Sequence, residues 1–424
     1  MKAISSPNPS NGNNVRNVNP SGALNNNNAN NGNGCAPDYE NCQIKVSHQA
    51  EISASHARSL DLSSDKEGTY IRDVSTSRGV DAIDSDFYSF KSLYHGLRKA
   101  QRNVIWKDSV SFYSLNNLKQ THRLRQSLLD NSYEISPYQI FTIHEPKERE
   151  IAATRIRDRQ FQRSLCDSYL YRAVTKGFIR DNCACQRGKG VDDVLNRMDC
   201  HLHRFYRHHG TDGWILKCDI HHYFAETSHE VAKAAIRKRV DNDEAYRRVC
   251  DIIDSFGTDK GIGLGSQVSQ LIELAVLDDL DHYIKEQLHI EHYLRYMDDF
   301  ILIHESKDYL KQCLAQIKVK LASIGLELND KTAFTKVSQG VRFLKWKFSV
   351  TPTGKVIRKL SKRSIVKERR KLKKLGNKVQ EKKLHLSVLA NSFNSWLANA
   401  RRGNAEKEIS QMRAIYLNTL RRCI

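Results

Sequence analysis

The chain has 424 residues, 39% of them hydrophobic, with no apolar run long enough to span a bilayer and no signal-peptide-like start, so a soluble, unexported protein of the cytoplasm is expected. Its 68 Lys and Arg against 48 Asp and Glu leave a formal charge of +20, an excess that attracts phosphate and gains free energy by releasing condensed counterions. Ten cysteines at irregular spacings read as reduced thiols, and the spacing of Cys183, Cys185, Cys200, His201 and His203 fits no standard zinc finger.

In chain order, thirteen of the first 34 residues are Asn and four of the seven prolines fall within residues 1–37. Such a segment cannot bury enough apolar surface to offset its ordering entropy, so residues 1–80 are expected to be a disordered Asn-rich leader followed by a polar, Ser-rich linker. From about residue 81 the pattern turns amphipathic and helical, first in FYSFKSLYHGLRKAQRNVIW and then in NLKQTHRLRQSLLD. YQIFTIHEP alternates as a strand closed by a proline, and WILKCDI reads as a second strand.

LAVLDDLDHYI follows as a helix whose Leu271, Leu274, Leu277 and Leu280 account for its packing, with Asp278, Asp279 and Asp281 as a solvated edge. HYLRYMDDFILIH contains two β-favouring runs joined through MDD, a tight hairpin, and VRFLKWKFSVTPTGK reads as two short strands with a Pro/Thr/Gly turn. The chain then becomes helical and basic: between Ser361 and Leu384 eleven Lys or Arg stand against Glu368 and Glu381, a net +9 that favours a nucleic-acid partner over a merely solvated face.

The chemistry sits at Asp219, which ends WILKCD, and at Asp298 and Asp299 in the hairpin turn. Two carboxylates in a turn with a third on a neighbouring strand end repel one another unless they hold cations, and magnesium is the natural occupant. Two such ions about 3.5–4 Å apart can stabilise the attacking and leaving oxygens of an in-line phosphoryl displacement together.

Asp219 with the following IHHYF, and RYMDDF at Arg295 to Phe300, resemble motifs A and C of the reverse transcriptases. FTIHEPKEREI and RIRDRQFQ resemble the basic fingers motif, CQRGKG the segment after it, GIGLGSQVSQ motif B, LNDKTAF motif D and VRFLKWKF the primer-grip hairpin, all in the family's order from roughly Tyr138 to Ile357. The resemblance implies an α+β right-hand polymerase fold with an antiparallel palm sheet: fingers over 81–213, palm over 214–350 and a basic helical thumb over 351–424. It implies a metal site at Asp219, Ile220, Asp298 and Asp299 holding two Mg2+, or Mn2+, with the three aspartates catalytic. Lys147 and Arg149 match triphosphate contacts, Phe224 the steric gate that selects deoxynucleotides, and Lys331 the motif D lysine that protonates the leaving group. Leu264, Gly265 and Gln270 complete the nucleotide-binding set.

Within that family, motif B reads LGSQVSQ, with Leu264 where group II intron enzymes carry Gln and Gln270 where they carry Pro. This is similar to the reverse transcriptases of diversity-generating retroelements, which copy template adenines with errors. An apolar side chain in place of that Gln removes a polar check worth about 1–2 kcal/mol. RNVNPSGALNNNNANNGNG likewise resembles the variable end of the C-type-lectin-like targets of such elements, so the reading frame is expected to start inside, or run through, the template repeat, the alternative being an ordinary Asn/Gly linker.

The expected partners are template RNA, a DNA or RNA primer, deoxynucleoside triphosphates and a small basic accessory variability protein, with no membrane. The chain after the thumb-like region is read as too short for an RNase H, integrase, maturase or HNH domain. The alternatives are a retron or phage-defence reverse transcriptase, a catalytically silent RNA-binding protein, and a template-independent nucleotidyl transferase.

Overall fold

The structure is a computed structural model, and it describes residues 86–144, 148–257 and 259–423. The Asn-rich leader and its linker lie outside the described residues. The described residues fall within one compact unit, Val80–Ile424.

The first element is α1, Phe90–Ala100, capped by Ser89, whose side chain accepts from the amide of Ser92. It is shorter than the sequence pattern suggests: turns follow from Gln101, and two further helices come next, α2 (Asp108–Leu115) and α3 (Asn117–Leu129). Strands β1 (Gln139–Ile143) and β2 (Arg149–Ala153) pair as an antiparallel ribbon. Helix α4 (Ile156–Leu165) packs across α1, and α5 (Tyr171–Thr175) and the long α6 (Val191–His209) follow.

The central sheet is built from β3 (Trp214–Asp219), β4 (His292–Tyr296), β5 (Asp299–His304) and β6 (Ala333–Lys336), in the order β4-β5-β3-β6 and antiparallel throughout. Alternation along a strand sends neighbouring side chains to opposite faces. Leu216, Cys218, Tyr293, Phe300 and Leu302 therefore enter one core, while Ile215, Leu294, Ile301 and Ile303 enter a second. Because both faces are covered, the strands carry nearly continuous apolar runs. The first core is closed by α8 (His229–Arg237), α9 (Asp243–Asp254), α10 (Gln267–Val276) and α12 (Lys307–Ala322), with the one-turn α7 (Tyr223–Glu226) and short α11 (Asp278–His282) packed between strands and helices.

VRFLKWKFSVTPTGK forms the two expected strands, β7 (Val341–Phe343) and β8 (Trp346–Val350), with the turn after them, and β9 (Val356–Leu360) completes a three-stranded sheet. The turn between β7 and β8 falls at Leu344 and Lys345, both with left-handed φ (45° and 74°), which reverse the chain without a glycine. Three helices follow: α13 (Lys362–Gln380), α14 (Leu386–Ala400) and α15 (Glu406–Arg421). Leu372, Leu389, Phe393, Trp396 and Met412 from these helices join Trp346 and Phe348 in the second core. No helix among the described residues is long and apolar enough to cross a membrane.

The expectation for Asp278, Asp279 and Asp281 is corrected in part. Asp279 is exposed and pairs with Lys238, but Asp278 and Asp281 are buried, Asp278 against Arg239 and Asp281 against Arg295. Leu271, Leu274, Leu277 and Leu280 are buried, as their spacing requires. The eight cysteines among the described residues are free thiols, and no group of His, Cys, Asp or Glu among those residues stands in zinc-holding geometry. His201 instead bonds Asp181 through Nε2 at 2.9 Å.

Candidate active site

Asp219 is the last residue of β3 and stands directly opposite Asp299, the first residue of β5. The loop between β4 and β5 is only Met297 and Asp298, and Met297 adopts φ 58° to close it. The amide of Ile220 donates to the carbonyl of Asp298 at 3.2 Å, and the amide of Asn329 donates to the carbonyl of Asp219 at 2.7 Å. Asp219 and Ile220, distant in sequence from Asp298 and Asp299, are thus brought beside them at one end of the two central strands, which forms the acidic edge of the sheet.

The electrostatics of this edge are strained. Burial, opposed by Lys217 and reinforced by the charges of Asp219 and Asp298, pushes the Asp299 carboxyl up to about 7. Its Oδ2 lies 3.2 Å from Lys217 Nζ, while its buried Oδ1 has no hydrogen-bond partner among the described residues. The three carboxylates are not drawn into three-ligand metal geometry here. Their donor set nevertheless fits a divalent cation: hard carboxylate oxygens, one of them unpartnered and buried, and mutual repulsion that a cation would relieve. Lys217 was missed in the sequence, although the two-residue spacing to Asp219 places both on one face of β3.

A buried ion pair fixes the turn from behind. Arg295 of β4 donates to both oxygens of Asp281, from Nε at 2.7 Å and Nη2 at 2.6 Å, and its Nη1 donates to the carbonyl of Met297 at 3.1 Å. Tyr293 donates to the same carboxylate at 2.6 Å. Arg295, Asp281 and Tyr293 are all buried, so the carboxylate holds the guanidinium and the guanidinium holds the hairpin loop.

Phe224 lies on α7, five residues beyond Asp219, half-buried against the first core. Its carbonyl accepts from the amide of Ile262 at 2.7 Å, which ties α7 to the segment carrying Leu264 and Gly265. The carbonyl of Leu264 accepts from the amide of Ala152 in β2 at 3.1 Å, so the same segment is tied to the ribbon as well. Gly265 has φ +131°, and a Cβ there would stand 3.2 Å from the carbonyl oxygen of Ala152, so both conformation and approach favour glycine. Ser266 then caps α10, which carries Gln270 on its exposed side.

Arg149 is the exposed first residue of β2, and Lys147 lies outside the described residues. Lys331 is exposed in the turn before β6, two residues after Asn329, whose side chain accepts from the Lys331 amide at 3.2 Å. Sequence reasoning also missed Glu273, wholly buried in α10, which accepts from Thr227 at 3.1 Å and whose carboxyl burial pushes up to about 8.

Three carboxylates thus lie at one end of an antiparallel sheet. Residues 145–348 match the family model for reverse transcriptase (RNA-dependent DNA polymerase). Over these residues the chain is similar to the domain of RNA-directed DNA polymerases, and its fold mixes helices with an antiparallel sheet, as the α+β expectation requires. Among solved structures it is similar to telomerase from Candida albicans in complex with a fragment of telomeric RNA, at 14% identity and TM-score 0.45, over 68% of this chain and 55% of that one. Two structures of apo telomerase from Candida tropicalis are similar at 14% identity and TM-score 0.41, one over 53% of this chain and 49% of that chain, the other, truncated from its C-terminal domain, over 57% and 60%. The chain thus spans between about half and three fifths of these relatives' lengths. None of the curated proteins compared matches it.

Proposed function

We propose that this protein copies RNA into DNA by nucleotidyl transfer at the edge formed by Asp219, Asp298 and Asp299. The observation that carries the reading is that Asp219 and Asp299 stand opposite each other across β3 and β5, with Asp298 beside them in the turn, and that the buried Oδ1 of Asp299 has no hydrogen-bond partner among the described residues.

In this reading residues 81–213 act as fingers, 214–350 as palm and 351–424 as a basic thumb. Mg2+, or Mn2+, held by Asp219, the backbone at Ile220, Asp298 and Asp299 would supply charge neutralisation at the reacting phosphate. The chain's own residues do the rest. Lys147 and Arg149 bind the triphosphate of the incoming deoxynucleotide, and the ring of Phe224 excludes a ribose 2′-hydroxyl. Gly265 gives the base pair a flat backbone to rest on, and Lys331 delivers a proton to the departing pyrophosphate. Arg295 holds the turn in place while strand and nucleotide change.

The subtype we propose is an error-prone enzyme of the diversity-generating kind, copying a template-repeat RNA in the cytoplasm with a basic accessory protein. Leu264 and Gln270 of motif B and the Asn-rich leader support it. The free thiols accord with a reducing compartment.

The deciding experiment is primer extension by Asp298→Asn with and without template RNA. DNA synthesis should disappear while RNA affinity stays within about twofold of the parent, as expected when one charge is removed beside, and not within, the strand-binding surface. Equal loss of both, or extension by the parent without template, would sink the reading. Sequencing the cDNA made by the parent enzyme tests the subtype: errors should concentrate opposite template adenines, and a uniform error spectrum would exclude it.

A further inference from the structure

A cavity of about 280 Å3 opens beside the Gly265–Gln267 segment, walled by α1 and α4. Four cationic side chains line it, Lys99, Arg102, Arg159 and Arg163, and no carboxylate does. Three of them are already engaged: Lys99 pairs with Asp167 at 2.7 Å, Arg163 donates to the side chain of Gln267, and Arg159 bonds main chain. Arg159 donates to the carbonyl of Thr154 at 3.2 Å, and burial together with Arg163 lowers its affinity for its proton.

Two further lining residues, Gln162 and Thr154, are 4% and 6% exposed, and the Gln162 amide nitrogen and Thr154 hydroxyl have no hydrogen-bond partner among the described residues. Buried donors without acceptors cost free energy, and so does a cluster of like charges. One oxyanion answers both, because it accepts from the amide and the hydroxyl while neutralising the guanidinium groups.

We propose that this cavity holds a backbone phosphate of the template strand, anchoring that strand immediately beside the motif B segment. The proposal rests on the reverse transcriptase reading for the identity of the strand. The place in the fold favours a strand over a free nucleotide. The cavity is walled by α1 and α4, whereas the acidic edge at Asp219 reaches the same segment by way of α7. A phosphate held here would fix the register of the template relative to Gly265 without reading any base.

The test uses the full chain with Arg102→Ala, whose side chain is exposed at the rim, and Gln162→Leu, which removes the unpartnered donor and keeps the volume. Affinity for a labelled RNA template with annealed primer is measured across a salt series, and KM for deoxynucleotide is measured at saturating template. Arg102→Ala should weaken template binding about three- to tenfold and reduce the slope of log K against log salt by about 0.7–0.9, the signature of one phosphate no longer neutralised. Gln162→Leu should weaken binding with no change of slope, because it removes a hydrogen bond and no charge. KM for nucleotide should stay unchanged in both.

Unchanged affinity and slope in both variants would overturn the proposal. A rise in nucleotide KM with template affinity intact would overturn it too, assigning the cavity to the free triphosphate. Because binding is read without catalysis, failure of the reverse transcriptase reading appears separately, as an inactive parent enzyme whose cavity variants still lose RNA affinity.

Discussion

At the scale of single residues, Glu273 connects two functional segments through one buried carboxyl. It sits in α10 beneath the motif B segment, and Tyr223 of α7 donates to its backbone carbonyl while Thr227 donates to its side chain. Burial is the main reason that its carboxyl is pushed up to about 8, from an ordinary value of 4.5. A carboxyl whose folded value is raised keeps its proton in the folded state between those limits and loses it in the unfolded one, so stability falls as pH rises from about 4.5 to 8. Glu273→Gln mimics the protonated form. It should match the parent near pH 4.5 and exceed it by on the order of 3 kcal/mol near pH 8.5, read by denaturant unfolding at both values. A constant difference between the two proteins across that range would contradict the assignment. Leu264 invites a different experiment, since its carbonyl is held by Ala152 whatever its side chain. Leu264→Gln should restore a polar check of about 1–2 kcal/mol and lower misincorporation roughly five- to thirtyfold, scored by sequencing cDNA from an adenine-containing template. An unchanged error frequency would remove Leu264 as its cause.

At the scale of elements, the β4–β5 hairpin owes its position to Asp281 on α11, whose charge is answered by the fully buried Arg295. Removing one partner leaves the other charge uncompensated in a dry environment. Asp281→Asn should therefore cost about 3–5 kcal/mol in unfolding free energy, whereas Asp281→Leu combined with Arg295→Met should recover most of that loss. The double variant should still lose DNA synthesis, because a thioether in place of the guanidinium has no proton to donate to the carbonyl that closes the loop. Wild-type turnover in the double variant would show that the turn holds itself. The same hairpin illustrates which features are legible in a sequence. Alternating apolar residues around MDD are local information, and so is the end of WILKCD, which is why these strands can be read directly, whereas the meeting of Asp219 with Asp299 is long-range and only the order of the motifs points to it. The burial of Asp278 and Asp281 cannot be read directly, because it depends on Arg239 and Arg295, which come from other elements. The cavity beside Gly265 is invisible for the same reason: its cations are spread over α1, the turns after it and α4, and only packing gathers them.

At the scale of the whole molecule, charge is divided between an acidic edge and basic surroundings, and the division explains how a polyanion can approach a cluster of carboxylates. On the proposed function the formal charge of +20 would draw the strand in, and much of it is carried by α13. That helix buries Leu372 and Gly376 and leaves Lys371, Lys373 and Lys374 exposed. Its apolar side is thus committed to packing against α14 and α15, while these lysines project where they meet only solvent or a strand. Replacing all three with Gln disturbs no buried packing, so folding stability should stay within about 0.5 kcal/mol of the parent. Binding should respond differently. Each phosphate that is no longer neutralised lowers the slope of log K against log salt by about 0.7–0.9, so the triple variant should lose up to about 2–3 in slope and bind template-primer more weakly than the parent, with the deficit largest at low salt, where counterion release contributes most. The turnover rate at saturating template should remain that of the parent, because the acidic edge is untouched. A triple variant with parental slope would place the strand elsewhere on the molecule. One with reduced turnover at saturation would mean that α13 positions the primer end as well as attracting it.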